Sequence, residues 1–305
     1  MKAWIAASVL AVIAMAVLSA GLRPPGVMPP RGELMPPHPT TSERDDACLA
    51  RYRAIREDGV IDVRIVFGYK DVRPARFVGD RYERLMILSY LMLPCPPGLL
   101  ACGFSRDPHD AELFTRPLVI DGRRLKARVR VVHASAGPDD RENRNRDLFQ
   151  AWQTQRARMA FLDGIREADA VFYVGHSRDG GGPDFAPPRL GRENHVDYAW
   201  YRKRRPGEKA MLAALTAPRE GSLHLLGLLS CASSGFFTRE IRAVAPRTGL
   251  LTSDRLLYYS DSLRNLLGAL SALLGGACGR DFKTAVQARD PLRGAILNGF
   301  FENNN

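Results

Sequence analysis

The chain has 305 residues, of which 45% are hydrophobic and 25% charged. These values belong to a folded globular protein, and they exclude global disorder, a collagen-like repeat and a polytopic membrane protein. A formal charge of +11, from 44 Lys and Arg against 33 Asp and Glu, favours anionic surroundings. The basic residues are scattered and form no single stripe, so no specific nucleic-acid partner is expected.

At the N-terminus Lys2 precedes an apolar run, Ala3 to Ala20, that ends in the small residues Ser19, Ala20 and Gly21. Residues 1–20 read as an export signal, or as an N-terminal anchor if the run is retained, since it is long enough to span a bilayer. The expected location is therefore outside the cytoplasm, periplasmic or held at the membrane facing outward. Leu22 stands where a lipoprotein signal needs a Cys. Residues 21–44 hold Pro24, Pro25, Pro29, Pro30, Pro36, Pro37 and Pro39, a density that blocks helix and sheet hydrogen bonding and marks a linker. One folded α/β domain is expected over residues 45–305.

Within that domain Val60 to Phe67 is β-branched and alternating, a strand, whereas Arg81 to Leu93 suits either element type. Leu118 to Ile120 and Leu125 to His133 flank Asp121-Gly122, which predicts an antiparallel hairpin. Asn143 to Ala168 has helical spacing, with Leu148, Phe149, Trp152, Met159, Phe161, Leu162 and Ile165 as an interrupted apolar face. Ala170 to Val174 and Leu223 to Leu229 are continuous apolar strands, ending at Gly175-His176 and Ser230-Cys231. Helices are expected over Glu208 to Leu215, Phe236 to Val244 and Ser260 to Leu274, with a short strand from Gly249 to Thr252. Apolar strands alternating with helices predict a three-layer α/β sandwich around a mostly parallel sheet, with the hairpin added.

The cysteines number five, Cys48, Cys95, Cys102, Cys231 and Cys278, an odd count for a chain that folds in an oxidising space. Several pairings are open. Cys95 and Cys102 bracket a Pro-Pro-Gly turn and suit a local disulfide, Cys48 and Cys278 lie near the two ends of the domain, and Cys231 is the thiol left over.

In parallel sheets ligands bind beyond the carboxyl ends of the strands. His176 and Cys231 both occupy such ends, so a thiol nucleophile and an imidazole face one crevice, the minimum equipment for acyl transfer. Backbone N–H groups of Ser177, Cys231 and the glycines Gly180, Gly181 and Gly182 are candidates for holding an oxyanion. Taken singly, a strand Cys is more often a packed small residue and a strand-end His more often a structural hydrogen-bond partner; the two together carry the catalytic reading.

The blocks Ala170-Val-Phe-Tyr-Val-Gly-His176 and Leu225-Leu-Gly-Leu-Leu-Ser-Cys231, 55 residues apart from His to Cys, resemble the caspase, gingipain and clostripain superfamily of clan CD cysteine peptidases. The resemblance implies a caspase-like fold, His176 as catalytic imidazole, Cys231 as nucleophile, and the amides of Ser177 and Cys231 as the oxyanion hole. It implies a peptide or protein substrate and an endopeptidase that needs neither metal nor organic cofactor; export is the expectation from residues 1–20. Two positions depart from the family pattern: Ser177 replaces the Gly after the His, and Ser230 stands where Ala is usual before the Cys. Arg178 is a candidate for selecting an acidic side chain, with a surface Arg as the alternative. Asp179 and Asp184 supply too few oxygens for an ordinary calcium loop, and His133, His195 and His224 read as structural.

Two competing readings use neighbouring residues. Gly175-His176-Ser177-Arg178-Asp179 approximates the nucleophile elbow of α/β-hydrolases, with Ser177 as an esterase nucleophile, but it lacks the final Gly. The other is an inactive caspase-like binding module of the cell envelope. There Trp200, in Asp197-Tyr-Ala-Trp-Tyr201, and the cations Arg202 to Arg205 would contact peptide, glycan or an anionic envelope surface; the plainer alternative is a loop whose Trp200 packs inward. The oligomeric state is not legible.

Overall fold

The computed structural model describes residues 46–70, 79–96, 99–218, 221, 223–287 and 295–298. The expected signal and the Pro-rich linker lie outside the described residues. All the described residues fall within one unit, residues 34–305.

The chain opens with α1 (Asp46–Ile55) and β1 (Val60–Phe67), followed by α2 (Asp80–Met92), which resolves the ambiguous stretch as a helix. Next come the short edge strand β2 (Ser105–Arg106), β3 (Leu113–Ile120) and β4 (Arg123–His133). Asp121 and Gly122 join β3 to β4 with φ of 52° and 75°, the left-handed geometry for which Asp-Gly is suited. The long predicted helix is two helices, α3 (Asp140–Asn145) and α4 (Asp147–Glu167), broken at Arg146, whose φ of −114° and ψ of 44° are not helical.

After β5 (Ala170–Val174) and an irregular loop come α5 (Tyr198–Arg204), α6 (Pro206–Thr216), β6 (Leu225–Leu229) and α7 (Ser233–Val244). The chain continues through β7 (Gly249–Ser253), α8 (Tyr259–Gly275), α9 (Gly279–Gln287) and β8 (Ala295–Asn298). The helices α1, α5 and α9 have no counterpart in the sequence reading. Each is ten residues or fewer, too short for an apolar period to show.

The sheet has eight strands in the order β2-β3-β4-β1-β5-β6-β7-β8. The central run from β4 to β7 is parallel, and β2, β3 and β8 pair antiparallel at the two edges. Alternate residues of the buried strands feed two separate cores. Ala170, Phe172 and Val174 pack with α1, α2, α8 and α9, and Val171 and Tyr173 pack with α4, α6 and α7. The result is a three-layer α/β sandwich.

Strand order also locates the crevice. From β1 the chain passes to β4 on one side, and from β5 it passes to β6 on the other, so successive connections diverge between β1 and β5. A binding cleft is expected at such a switch point, over the carboxyl ends of the strands.

Candidate active site

Register alone brings the two candidate residues level. In the parallel β5–β6 pair Val174 lies opposite Leu229, and the Gly175 N–H donates to the Leu229 carbonyl at 3.3 Å. His176 and Cys231 each follow two residues later, at the carboxyl ends of adjacent strands. Both line one cleft of about 470 Å³, together with Lys70 after β1, Ser177 and Asp179 after β5, and Leu256 to Tyr259 after β7. Each of the two is partly exposed.

Cys231 is not held in a disulfide, and its thiol donates to the Leu257 carbonyl at 3.8 Å. Cys48–Cys278 and Cys95–Cys102 form the two disulfides, as the spacing suggested, and Cys231 is the remaining thiol. The turn that carries it is pinned on several sides. The Ala232 N–H donates to the Arg255 carbonyl at 2.8 Å, and Ala232 itself adopts φ of 51°. Ser233 at the start of α7 donates its hydroxyl to the Leu228 carbonyl at 2.7 Å and accepts the Ser253 N–H at 2.9 Å, tying the ends of β6 and β7 together.

The loop bearing His176 is held from below by Tyr173. Its hydroxyl donates to the His176 carbonyl at 3.0 Å and accepts the Asp184 N–H at 2.9 Å. Burial holds this phenol protonated, with a pKa raised far above the ordinary tyrosine value. A Cβ at Gly175 would collide with the Tyr173 hydroxyl, which explains the glycine before the histidine.

Several expectations for this loop change. Arg178 borders the cleft, but its side chain is fully buried, with Nε 3.0 Å from Asp184 Oδ2 and the guanidinium 5.8 Å from the Tyr201 ring. It is therefore not a surface residue. Burial raises the Asp184 pKa and the Arg178 charge opposes that rise.

The glycines are occupied too. The N–H groups of Gly180 and Gly182 donate to the Ser177 carbonyl, and that of Gly181 donates to the Arg178 carbonyl, so none of the three is spare for an oxyanion. The N–H groups of Ser177 and Cys231, in contrast, donate to no acceptor among the described residues. Asp179 pairs with Arg202 at 2.7 Å while Asp184 turns inward, so the two carboxylates do not converge on a cation.

Ser177 has φ of −74° and ψ of −18° and is followed by a single 3-10 turn, Arg178–Gly180. The nucleophile elbow needs a strained strand-to-helix turn, so this backbone does not fit a hydrolase serine. Cys231 is the residue that stands between a strand and a long helix.

Trp200 is not in the cleft. It lies on α5 with the Arg189 guanidinium 5.1 Å over its ring, and lines a second, separate pocket. Tyr198, two residues earlier, is the member of that helix that reaches the cleft. Burial lowers the His133 pKa to about 3 and the His224 pKa to about 4, so both remain neutral in the interior, away from the cleft. No family model matches the chain, and no curated protein matches it.

Sequence reasoning missed one side of the cleft wall: Lys70, Leu256, Leu257, Tyr258, Tyr259 and Ser262. The strand-end rule that singled out His176 and Cys231 applies equally to the segments after β1 and β7 and points to Lys70 and Leu256 to Tyr258, whereas Ser262 lies on α8, beyond its reach. Lys70 is committed to the buried Glu83, with Nζ 2.5 Å from Oε1. Burial raises the Glu83 pKa to about 7, the lysine opposing it. The side of the wall after β7 is mainly aromatic and aliphatic, with Leu256, Leu257, Tyr258 and Tyr259.

Proposed function

We propose that the chain is an exported cysteine peptidase in which Cys231 attacks a peptide carbonyl and His176 manages the proton. The supporting observation is that the one free thiol and an imidazole share a cleft at level positions on adjacent parallel strands. In this reading the Cys231 sulfur, its proton passed to His176, adds to the carbonyl carbon. The oxyanion that forms is held by the amides of Ser177 and Cys231. Collapse expels the amine, which takes the proton back from His176, and leaves a thioester; water, deprotonated by His176, then releases the acid and regenerates the thiol. The two disulfides fit folding in an oxidising compartment, which agrees with export.

The test is thiol labelling coupled to turnover of a mixed peptide library. Stoichiometric alkylation of Cys231 should abolish cleavage, and Cys231→Ala and His176→Ala should each lower kcat by at least a thousandfold with the fold intact. Cleavage that survives Cys231→Ala would sink the reading. Loss of activity only after fluorophosphonate modification of Ser177 would instead restore the serine hydrolase.

A further inference from the structure

The helix α4 is built with its first half turned inside out. Gln150 and Gln153 face the interior: Gln150 accepts the Ala136 N–H and donates to the Ala134 carbonyl, both at 2.9 Å, and Gln153 donates to the His133 carbonyl. Of the seven apolar residues that the helical spacing marked, only Phe161 and Ile165 are buried. Leu148, Phe149, Trp152 and Met159 are 87%, 71%, 59% and 41% exposed. At about 100° per residue Leu148, Trp152 and Met159 fall within about 40° of one another, with Phe149 on their flank. They form a convex ridge on the side of the helix opposite the core, about 17 Å long at a rise of about 1.5 Å per residue.

Single exposed apolar residues are ordinary; four on one helix, including Trp and Phe, mark a contact surface. The surrounding charge indicates what contacts it. Arg141, Arg144 and Arg158 are exposed and have no ion-pair partner among the described residues. Arg146 is 57% exposed beside its partner Glu142, and the Arg156 guanidinium lies 5.1 Å from the Trp152 ring. The exposed carboxylate of Asp147 stands beside Leu148, and Arg141, Arg144 and Arg158 outnumber it. An exposed apolar ridge of Trp, Phe and Leu with these arginines nearby in the chain, on a protein of net charge +11, suits contact with an anionic bilayer surface. A ridge, unlike a groove, presents its side chains outward to a soft phase.

We infer that α4 seats the domain on an anionic phospholipid surface. Leu148, Phe149 and Trp152 enter the boundary between headgroups and acyl chains, and Arg141, Arg144 and Arg158 pair with lipid phosphates. This seat is independent of the thiol chemistry.

The full chain tests it with Trp4→Phe and Trp200→Phe, which leave Trp152 as the sole tryptophan of three. Vesicles of phosphatidylglycerol and phosphatidylcholine carrying brominated acyl chains should quench and blue-shift Trp152, and pure phosphatidylcholine vesicles should not. Leu148→Ser with Phe149→Ser, in the same background with Trp152 retained, should reduce that quenching at least tenfold. Arg141→Gln, Arg144→Gln and Arg158→Gln together should flatten its salt dependence. Vesicle binding through residues 3–20 with Trp152 unquenched overturns the inference, and equal quenching on neutral vesicles overturns its electrostatic half. A Trp152 shift that grows with protein concentration in the absence of lipid assigns the ridge to a second copy and also overturns it.

Discussion

Tyr173 shows how one side chain couples the buried sheet to the candidate site. Its hydroxyl is the hydrogen-bond partner of both the His176 carbonyl and the Asp184 N–H, groups on either side of the loop that carries the imidazole. Tyr173→Phe keeps the ring and its packing against Phe161 and Phe185 but removes the hydroxyl that bonds the His176 carbonyl and the Asp184 N–H. The expected cost is roughly 2 kcal/mol in denaturant unfolding. Turnover and the rate of Cys231 alkylation by a small thiol reagent should both fall about tenfold, because His176 takes the sulfur's proton in each, while the sulfur's own turn stays pinned by Ala232 and Ser233. Turnover that falls with an unchanged alkylation rate would mean that the Tyr173 hydroxyl acts on the site by a route other than the His176 imidazole. The pair His176 and Cys231 was legible in the sequence because each closes an unbroken apolar run. The inward turn of Arg178 was not, since it depends on Asp184 and Tyr201, which meet the guanidinium only once the loop has closed.

Among the elements, the joint at the amino ends of β1, β5 and β6 turns on Asp169. Its carboxylate accepts the Asp62 N–H at 2.8 Å, and its carbonyl accepts the N–H groups of His224 and Leu225. Burial raises the Asp169 pKa from 3.8 to about 7; the Asp62 backbone hydrogen bond opposes the rise, and the charges of Asp58 and Asp62 add to it. Between about pH 4 and pH 7 the folded chain therefore holds a proton that the unfolded chain releases. The stability this group contributes is fully present below about pH 4 and is lost as the pH rises to about 7, at no more than about 1.4 kcal/mol per pH unit. Asp169→Asn keeps an oxygen for the Asp62 N–H and removes the titration. The stability of the parent chain minus that of the variant, from urea unfolding at pH 4 to 8, should fall across that window and level off above it; a flat difference would mean that the carboxyl ionises freely in the folded state. The strands here were readable as apolar runs. The polar joint between them was not, because an aspartate before a strand looks the same whether it faces solvent or a neighbouring backbone.

At the scale of the whole molecule, the mostly parallel sheet and its covering helices could be read from alternating apolar segments, whereas the edges could not. The two-residue β2 and the four-residue β8 are too short for a pattern, and their place comes from pairing with β3 and β7. What joins the two ends of the domain, on one face of that sheet, is covalent. Cys48 on α1 and Cys278 at the junction of α8 and α9 are 230 residues apart, whereas Cys95 and Cys102 are separated by 7. The Tyr52 hydroxyl also donates to the Ala277 carbonyl at 2.8 Å, so the same two regions are hydrogen-bonded beside the disulfide. In the loop-entropy account, opening the long loop costs about 5 kcal/mol and opening the short one roughly half that. Cys48→Ser with Cys278→Ser should therefore lower the urea midpoint about twice as far as Cys95→Ser with Cys102→Ser, with no change in the reactivity of Cys231. An equal or reversed order would mean that the unfolded chain already holds α1 near α9, or that the turn over Cys95 to Cys102 is the element whose order the rest of the fold requires.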